Sequence, residues 1–436
     1  MKVVDLVTID KLIPIYKNGE EANSIQVARI KDVEGNECQF NIIVGKGLYS
    51  IGDKAIYIQP DYCVPPGGLF NEYYAPGGDP SKSKLGKNGR IRAAKFNFQF
   101  AYEPDSIYSN GILIPYDECV KAFIEFDLSD VSVDLQKLFG VIKYEAPDSS
   151  DAGSKAGLTE GDRPGFLYET DEDRIELHKG KIDNCYAENE RIGITVKRDG
   201  SSITIFCKND FSADGPDHFP IKVGICSRKQ LKKMDQTYVQ AYKDGEYELH
   251  PYVKKETMER GWYNEFTQKF YTIEEVKDLE PVIVEARDAW VDTVKKHGYL
   301  SRLMIYCQNH NVELALRGEL IGGGMKGSGN KLNKDAIGET DVVWFGVDDL
   351  STDFSKRLHY GCQHNLKTVG DALGLKYTQP VFEGMMSYAE IIHWSNEYFK
   401  KVKDETGQIV EGIVVRSLYT NKISCKYINP EYDSKS

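Results

Sequence analysis

The sequence predicts an α+β protein: an OB-like β-barrel over residues 1–145, a linker over 146–165, and a larger domain of antiparallel strands and flanking helices over 166–436. Three observations carry that expectation. Short alternating runs such as SIQVARI, QFNIIVG, KAIYIQP and NGILIP recur through the first part, punctuated by Gly, Pro, Asn and Asp. The stretch EAPDSSDAGSKAGLTEGDRPG, from Glu145 to Gly165, is poor in apolar residues and rich in turn formers. Beyond it, strand-like alternation is interleaved with helix-like spacing, without an internal repeat.

Within the first part, Ser81 to Tyr102 reads SKSKLGKNGRIRAAKFNFQFAY. It carries Lys82, Lys84, Lys87, Arg90, Arg92 and Lys95 and no acidic residue, and Phe96, Phe98 and Phe100 alternate behind the basic run. Cations beside exposed aromatics suit a single nucleic-acid strand, whose backbone they neutralise and whose bases stack on the rings. The alternative is a solvated loop followed by three core phenylalanines.

Arg191 to Asp210, RIGITVKRDGSSITIFCKND, reads as two half-buried strands joined by a tight Asp199-Gly200 loop. Ile192, Ile194 and Val196 alternate before the loop, and Ile203 and Ile205 after it. Lys197 closes the first strand. A lysine there can act as a nucleophile once desolvation or neighbouring cations deprotonate its amine. K-x-D-G alone also fits an ordinary exposed hairpin lysine.

A second basic run, Arg228-Lys229-Gln-Leu-Lys232-Lys233, follows. The segment YNEFTQKFYTIEEVKDLE, from Tyr263 to Glu280, reads as acidic, aromatic-containing surface without a chemical signature. PVIVEARDAWVDTVKKHG reads as a helix, with Pro281 in its first turn, Gly298 as its stop, and Ile283, Ala286, Trp290 and Val294 along one face. LALRGELIGGGMKGSGNK contains G-x-G-x-x-G, but that run follows a Gly-Glu turn and leads into NKLNKD, so a dinucleotide-binding fold is a poor match. DVVWFGVDD, IVEGIVVRS and NKISCKYIN read as the last strands.

Composition narrows the function classes. A net charge of −12 argues against non-specific coating of nucleic acid but leaves room for local basic patches. Nine scattered cysteines without a C-x-x-C pair argue against a disulfide framework or a structural zinc site. His359, Cys362 and His364 in HYGCQH fit no common zinc spacing. No bilayer-length apolar run and no secretory segment behind MKVVDLVTID are seen, so an intracellular protein is expected.

Five elements in order are more specific than any one of them: KRDG at Lys197, CSRK at Arg228, RGE at Glu319, VVWFG at Phe345, and EGIVVR at Glu411 ahead of SCKY at Lys426. From Ala187 to Asn429 this set resembles the covalent nucleotidyltransferase superfamily of ATP-dependent ligases and mRNA capping enzymes. The resemblance implies a nucleotidyltransferase (ATP-grasp-like ligase) domain, with Lys197 adenylylated, Arg228 on a phosphate or the substrate strand, and Glu319 on the ribose hydroxyls. It also implies that Phe345 stacks on adenine, Glu411 serves a divalent metal, and Lys426 holds the α-phosphate. Two positions depart from the pattern: Gly346 stands where the family usually has Asp, and Ile428 where some relatives carry a second lysine, a role Lys422 could fill only if strand register allows. The chemistry agrees, since an amine attacking phosphorus needs cations around the non-bridging oxygens and a hard metal on the leaving pyrophosphate.

With the β-rich module in front and ten residues after Lys426, the domain order resembles RNA ligases of the Naegleria and Deinococcus type, as do GRIRAAKF and SNGILIP. That resemblance implies ATP with Mg2+ or Mn2+, and RNA partners bearing 5′-phosphate and 3′-hydroxyl ends, a nicked duplex foremost, with Lys87, Arg90, Arg92 and Lys95 on the RNA. Two other readings stay open: a GTP-using capping-type enzyme, and a non-catalytic RNA-binding protein on a ligase fold.

Overall fold

The computed structural model describes residues 1–434 except 84, 102–105, 145–157, 169–170, 210–220, 236, 255–258, 286–287, 324–334 and 336–337. Lys84, Ala286, most of the expected linker and the part of GGGMKGSG from Gly324 onward therefore lie outside the described residues.

The front module is built on a five-stranded antiparallel sheet. Its order is Ile112–Pro115, Lys54–Ile58, Val4–Ile13, Ile25–Asp32, Glu37–Gly45. Both faces are covered: Ile56 and Ile58 join a cluster with Val4, Phe70 and Phe139, while Ala55 and Tyr57 point into another with Ile9, Phe40 and Leu113. A strand buried on both sides needs an unbroken apolar run, which is what AIYI supplies. Behind the basic stretch, only Ala94–Phe96 forms a strand. Phe98 and Phe100 pack half-buried against Ile15, Val27 and Ile107, so those two rings belong to a small core.

Two larger sheets follow. One has seven strands in the order Thr159–Asp162, Gln230–Lys232, Ile221–Cys226, Ser201–Asn209, Leu314–Ile321, Asp341–Asp349, Lys356–Arg357. Its first strand falls inside the segment expected to be linker. The other has five strands in the order Asp173–Arg174, Ser424–Ile428, Gly412–Ser417, Ile192–Lys197, Phe382–Gly384. Helices Ala289–His297, Tyr299–His310 and Leu366–Leu373 cover the outer face of the seven-stranded sheet through Trp290, Leu303 and Val369. Helix Tyr388–Thr406 covers the outer face of the other through Ile391 and Phe399, closed at its start by a Ser387–Glu390 capping box. Residues on the opposite faces are left to line a cleft.

The stretch expected to be a hairpin is a corner between these sheets. Ile192–Lys197 pairs with Gly412–Ser417, whereas Ser201–Asn209 pairs with Ile221–Cys226 and Leu314–Ile321. The Asp-Gly turn is tied sideways: the Asp199 amide donates to Asp335 at 3.3 Å, and Arg198 pairs with the same carboxylate at 3.2 Å. Local alternation reports that two strands exist, not that they pair with one another.

The expected helix from Pro281 is also corrected. Glu280–Glu285 is a strand at the edge of a third sheet, whose order is Lys269–Tyr271, Arg260–Asn264, Tyr247–Val253, Thr237–Asp244, Glu280–Glu285. An edge strand tolerates a proline, and Val282-Ile283-Val284 favours extended backbone. Ile283 is exposed rather than on a core face. The helix starts at Ala289, where Asp288 accepts from the Trp290 and Val291 amides. A third of the segment from Tyr263 to Glu280 thus enters this sheet rather than lying as plain surface.

Candidate active site

Lys197 ends its strand opposite Gly412, which brings it to Glu411: Nζ stands 2.7 Å from Oε1. Gly412 must be small, since a Cβ there would run into the Tyr427 carbonyl of the next strand. Burial would lower the lysine's pKa, but Glu411 and Glu319 outweigh it and hold the ammonium above its ordinary value. Glu319 reaches the cleft from the seven-stranded sheet. Burial, aided by Glu411 and Asp199 and opposed by Lys197, pushes its carboxyl up to about 8. Glu411 is likewise raised, first by burial. Two carboxyls and one amine from three remote segments therefore converge, and their charge states depend on one another.

Phe345 comes into the cleft through an irregularity. Arg317 pairs with Gly346 and Gly318 with Trp344, so Phe345 is the extra residue of a β-bulge that turns its ring away from the buried Trp344. Gly193, Thr195, Tyr360, Thr378 and Arg416 contribute to the walls of the pocket beside it, which Lys197, Glu319 and Glu411 do not line. Arg416 stands over the Phe345 ring at 5.7 Å and donates to the Phe345 carbonyl at 3.2 Å. Gly346, where the resembling family usually has Asp, lines the same cleft.

Lys426 pairs across from Val414 and points to Asp171, 2.9 Å from Nζ to Oδ1. Arg228, in the turn after Ile221–Cys226, reaches the other oxygen of Asp171 at 3.2 Å, and Lys143 of the front module bonds to it too. Burial works against ionising Asp171, but Lys426 and Lys143 overcome it and hold the carboxyl well below its usual range. Next to it, Glu172 pairs with Arg416.

The structure thus brings Lys197, Glu319 and Glu411 together, places Phe345 in a pocket with Gly193 and Thr195 of the Lys197 strand, and gathers Arg228 with Lys426 around Asp171. Ile428 is buried with Ile409 and Tyr432, and Lys422 is tied to Glu188 at 2.7 Å outside the strand. Lys422 is therefore spent on another partner. Of the front-module cations, Lys87 and Lys95 are exposed and Arg92 is half-buried. Arg90 is instead held by Asp61 at 3.1 Å and Asp433 at 3.6 Å, so it serves the contact between the two parts of the chain. In the second basic run, Lys232 is buried against Asp288 and the Trp290 ring. His364 bonds to Tyr306, and no group of three or more metal-ligating side chains is found among the described residues.

Asp171, Glu172, Lys143 and Arg416 were missed as site residues. Arg416 sat inside a motif already singled out. The acidic run at 171–173 gave no local signal, because Lys426 and Arg416 lie 255 and 244 residues further along.

This architecture, end to end, is that of solved RNA ligases. A Naegleria gruberi RNA ligase variant without ligand superposes with a TM-score of 0.63 at 19% identity, covering 100% of this chain and 98% of that one. A variant of the same ligase with ATP and Mn gives 0.62 at 18%, covering 100% and 99%, and the ligase with PPi gives 0.62 at 19%, covering 100% and 98%. No protein-family model and no curated protein sequence matches the chain.

Proposed function

We propose that the chain is an ATP-dependent RNA ligase that joins 3′-hydroxyl and 5′-phosphate RNA ends through a lysyl-AMP intermediate and adenylylated RNA, in RNA repair. The observation that carries this reading is the pairing of Lys197 with Glu411 at the corner between two sheets, with Glu319 and Phe345 on the facing wall. The likeness of fold to a ligase whose structures hold ATP and Mn supports it.

In the first step the Lys197 ammonium, whose side chain is 25% exposed, gives a proton to water. The freed Nζ pair forms a bond to the α-phosphorus while the bond to the β-phosphate oxygen breaks, releasing pyrophosphate. Phe345 orients the base by stacking, and Glu319 holds the ribose. Lys426 and Arg228 stabilise charge on the phosphates. The carboxylate oxygens of Glu411 and of nearby Glu319 suit a hard divalent ion. Mg2+ or Mn2+, held by Glu411, would neutralise the leaving pyrophosphate. AMP then passes to the RNA 5′-phosphate, and a 3′-hydroxyl displaces it. The front module, proposed as an OB-type domain spanning residues 1–145, would grip a nicked duplex through Lys87, Arg92 and Lys95.

Incubation with ATP or GTP labelled at the α-phosphate, followed by a denaturing gel, tests the reading. Label should enter from ATP and not in Lys197→Ala, which should still seal some pre-adenylylated RNA. Label from GTP would point to capping chemistry. No label from either nucleotide would leave an RNA-binding protein on a ligase fold.

A further inference from the structure

Asp171 and Glu172 run along the cleft as an acidic strap. Asp171 gathers Lys426, Arg228 and Lys143, three cations from three remote parts of the chain. Glu172 takes the guanidinium of Arg416, the group that stands over the Phe345 ring. Two consecutive carboxylates thus bind the cations at the phosphate end of the cleft and at its aromatic end. The strap is anchored on its C-terminal side. Asp173–Arg174 is a short strand parallel to Ser424–Ile428, and Arg174 is locked to Asp61 and Asp433 at 2.8 and 3.1 Å.

We propose that Asp171 is an internal stand-in for a phosphate: it fills the anion subsite between Lys426, Arg228 and Lys143, and a polyphosphate must displace it to bind. The inference rests on reading Lys426 and Arg228 as phosphate ligands, and it adds Lys143, carried by the front module, to that set. Carboxylate and phosphate compete for the same charged N–H donors, and a polyphosphate brings more charge to them. With no nucleotide bound, the carboxylate relieves repulsion among the three cations. When a polyphosphate arrives, the strap acts as a tethered competitor and lowers its apparent affinity.

Calorimetric titration of inorganic pyrophosphate into the full chain tests this. Asp171→Asn, with Asp171→Ser as a second variant, should bind pyrophosphate about tenfold more tightly, equivalent to about 1.4 kcal/mol. Lys143→Ala should bind it more weakly, with unchanged thermal melting. Equal or weaker binding by both Asp171 variants, with melting intact, would overturn the proposal and make Asp171 an organiser of the cations. Pyrophosphate binding needs no nucleophile. A protein that takes no label from ATP yet shows the Asp171 effect keeps the strap and loses the ligase reading. Labelling with an unchanged pyrophosphate affinity does the reverse.

Discussion

On the proposed reading of Lys197 as the nucleophile, the resting structure favours the wrong protonation state for attack. Its ammonium is stabilised by Glu411 and Glu319, so the neutral amine is scarce at neutral pH. A divalent cation and a polyphosphate placed against Glu411 change that balance, because the metal's charge opposes the lysine's. The rate of label incorporation at saturating ATP and metal should therefore rise by about tenfold per pH unit between about pH 6 and 8. Quenched-flow labelling across pH checks this, and a flat profile would show that proton loss from Lys197 is not limiting. The six motif residues could be singled out as candidates because each sits in a short run of fixed chemistry. Their charge coupling was not, because Glu319, Glu411 and Lys197 meet only after three strands from two sheets are aligned.

At the scale of elements, the turn after Lys197 is as tightly packed as Gly412 across from it. A Cβ at Gly200 would run into the Leu320 carbonyl and come within 3.0 Å of Glu319 Cγ. Gly200→Ala should force the corner away from the Leu314–Ile321 strand, cost about 2 kcal/mol, and reduce lysine labelling more than it lowers the melting temperature. Parallel melting and labelling assays separate the two effects. The strands flanking this turn were readable from alternation, since Ile192 and Ile194 on one side and Ile203 and Ile205 on the other are all buried. Their assignment to different sheets was not readable, because it depends on Asp335 and Leu320, over a hundred positions away. The error at Pro281 has the same character. Periodicity over 281–294 fits a helix until an edge position in another sheet excuses the proline.

For the whole molecule, the front module and the cleft are joined by a closed square of two arginines and two aspartates. Asp61 and Arg90 come from the front, and Arg174 and Asp433 from beside the cleft; Arg174 and Asp433 are 6% and 2% exposed. Burial opposes ionisation of Asp61, but Arg174 and its neighbours overcome it and hold the carboxyl well below its usual range. Its contribution is therefore present above the ordinary carboxylate value and lost as pH falls through the depressed one. Asp61→Asn should destabilise by about 3 kcal/mol at neutral pH, with the gap from wild type closing in acid. Chemical denaturation at two pH values reads this out.

Glu176, beside the same square, behaves in the opposite sense. Burial pushes its carboxyl up to about 7, so its neutral form suits the folded state, and stability is lost as pH rises through that value. Glu176→Gln should raise the melting temperature at about pH 8 and change it little at about pH 5.

The corner at residues 198–200 has a mechanical meaning. The chain passes from one sheet to the other within three residues of Lys197. Arg416 of the first sheet also holds the Phe345 carbonyl of the second at 3.2 Å. The two walls are thus fastened at both places, by the chain itself at the lysine and by a hydrogen bond at the ring, and the span between amine and ring is fixed from both ends.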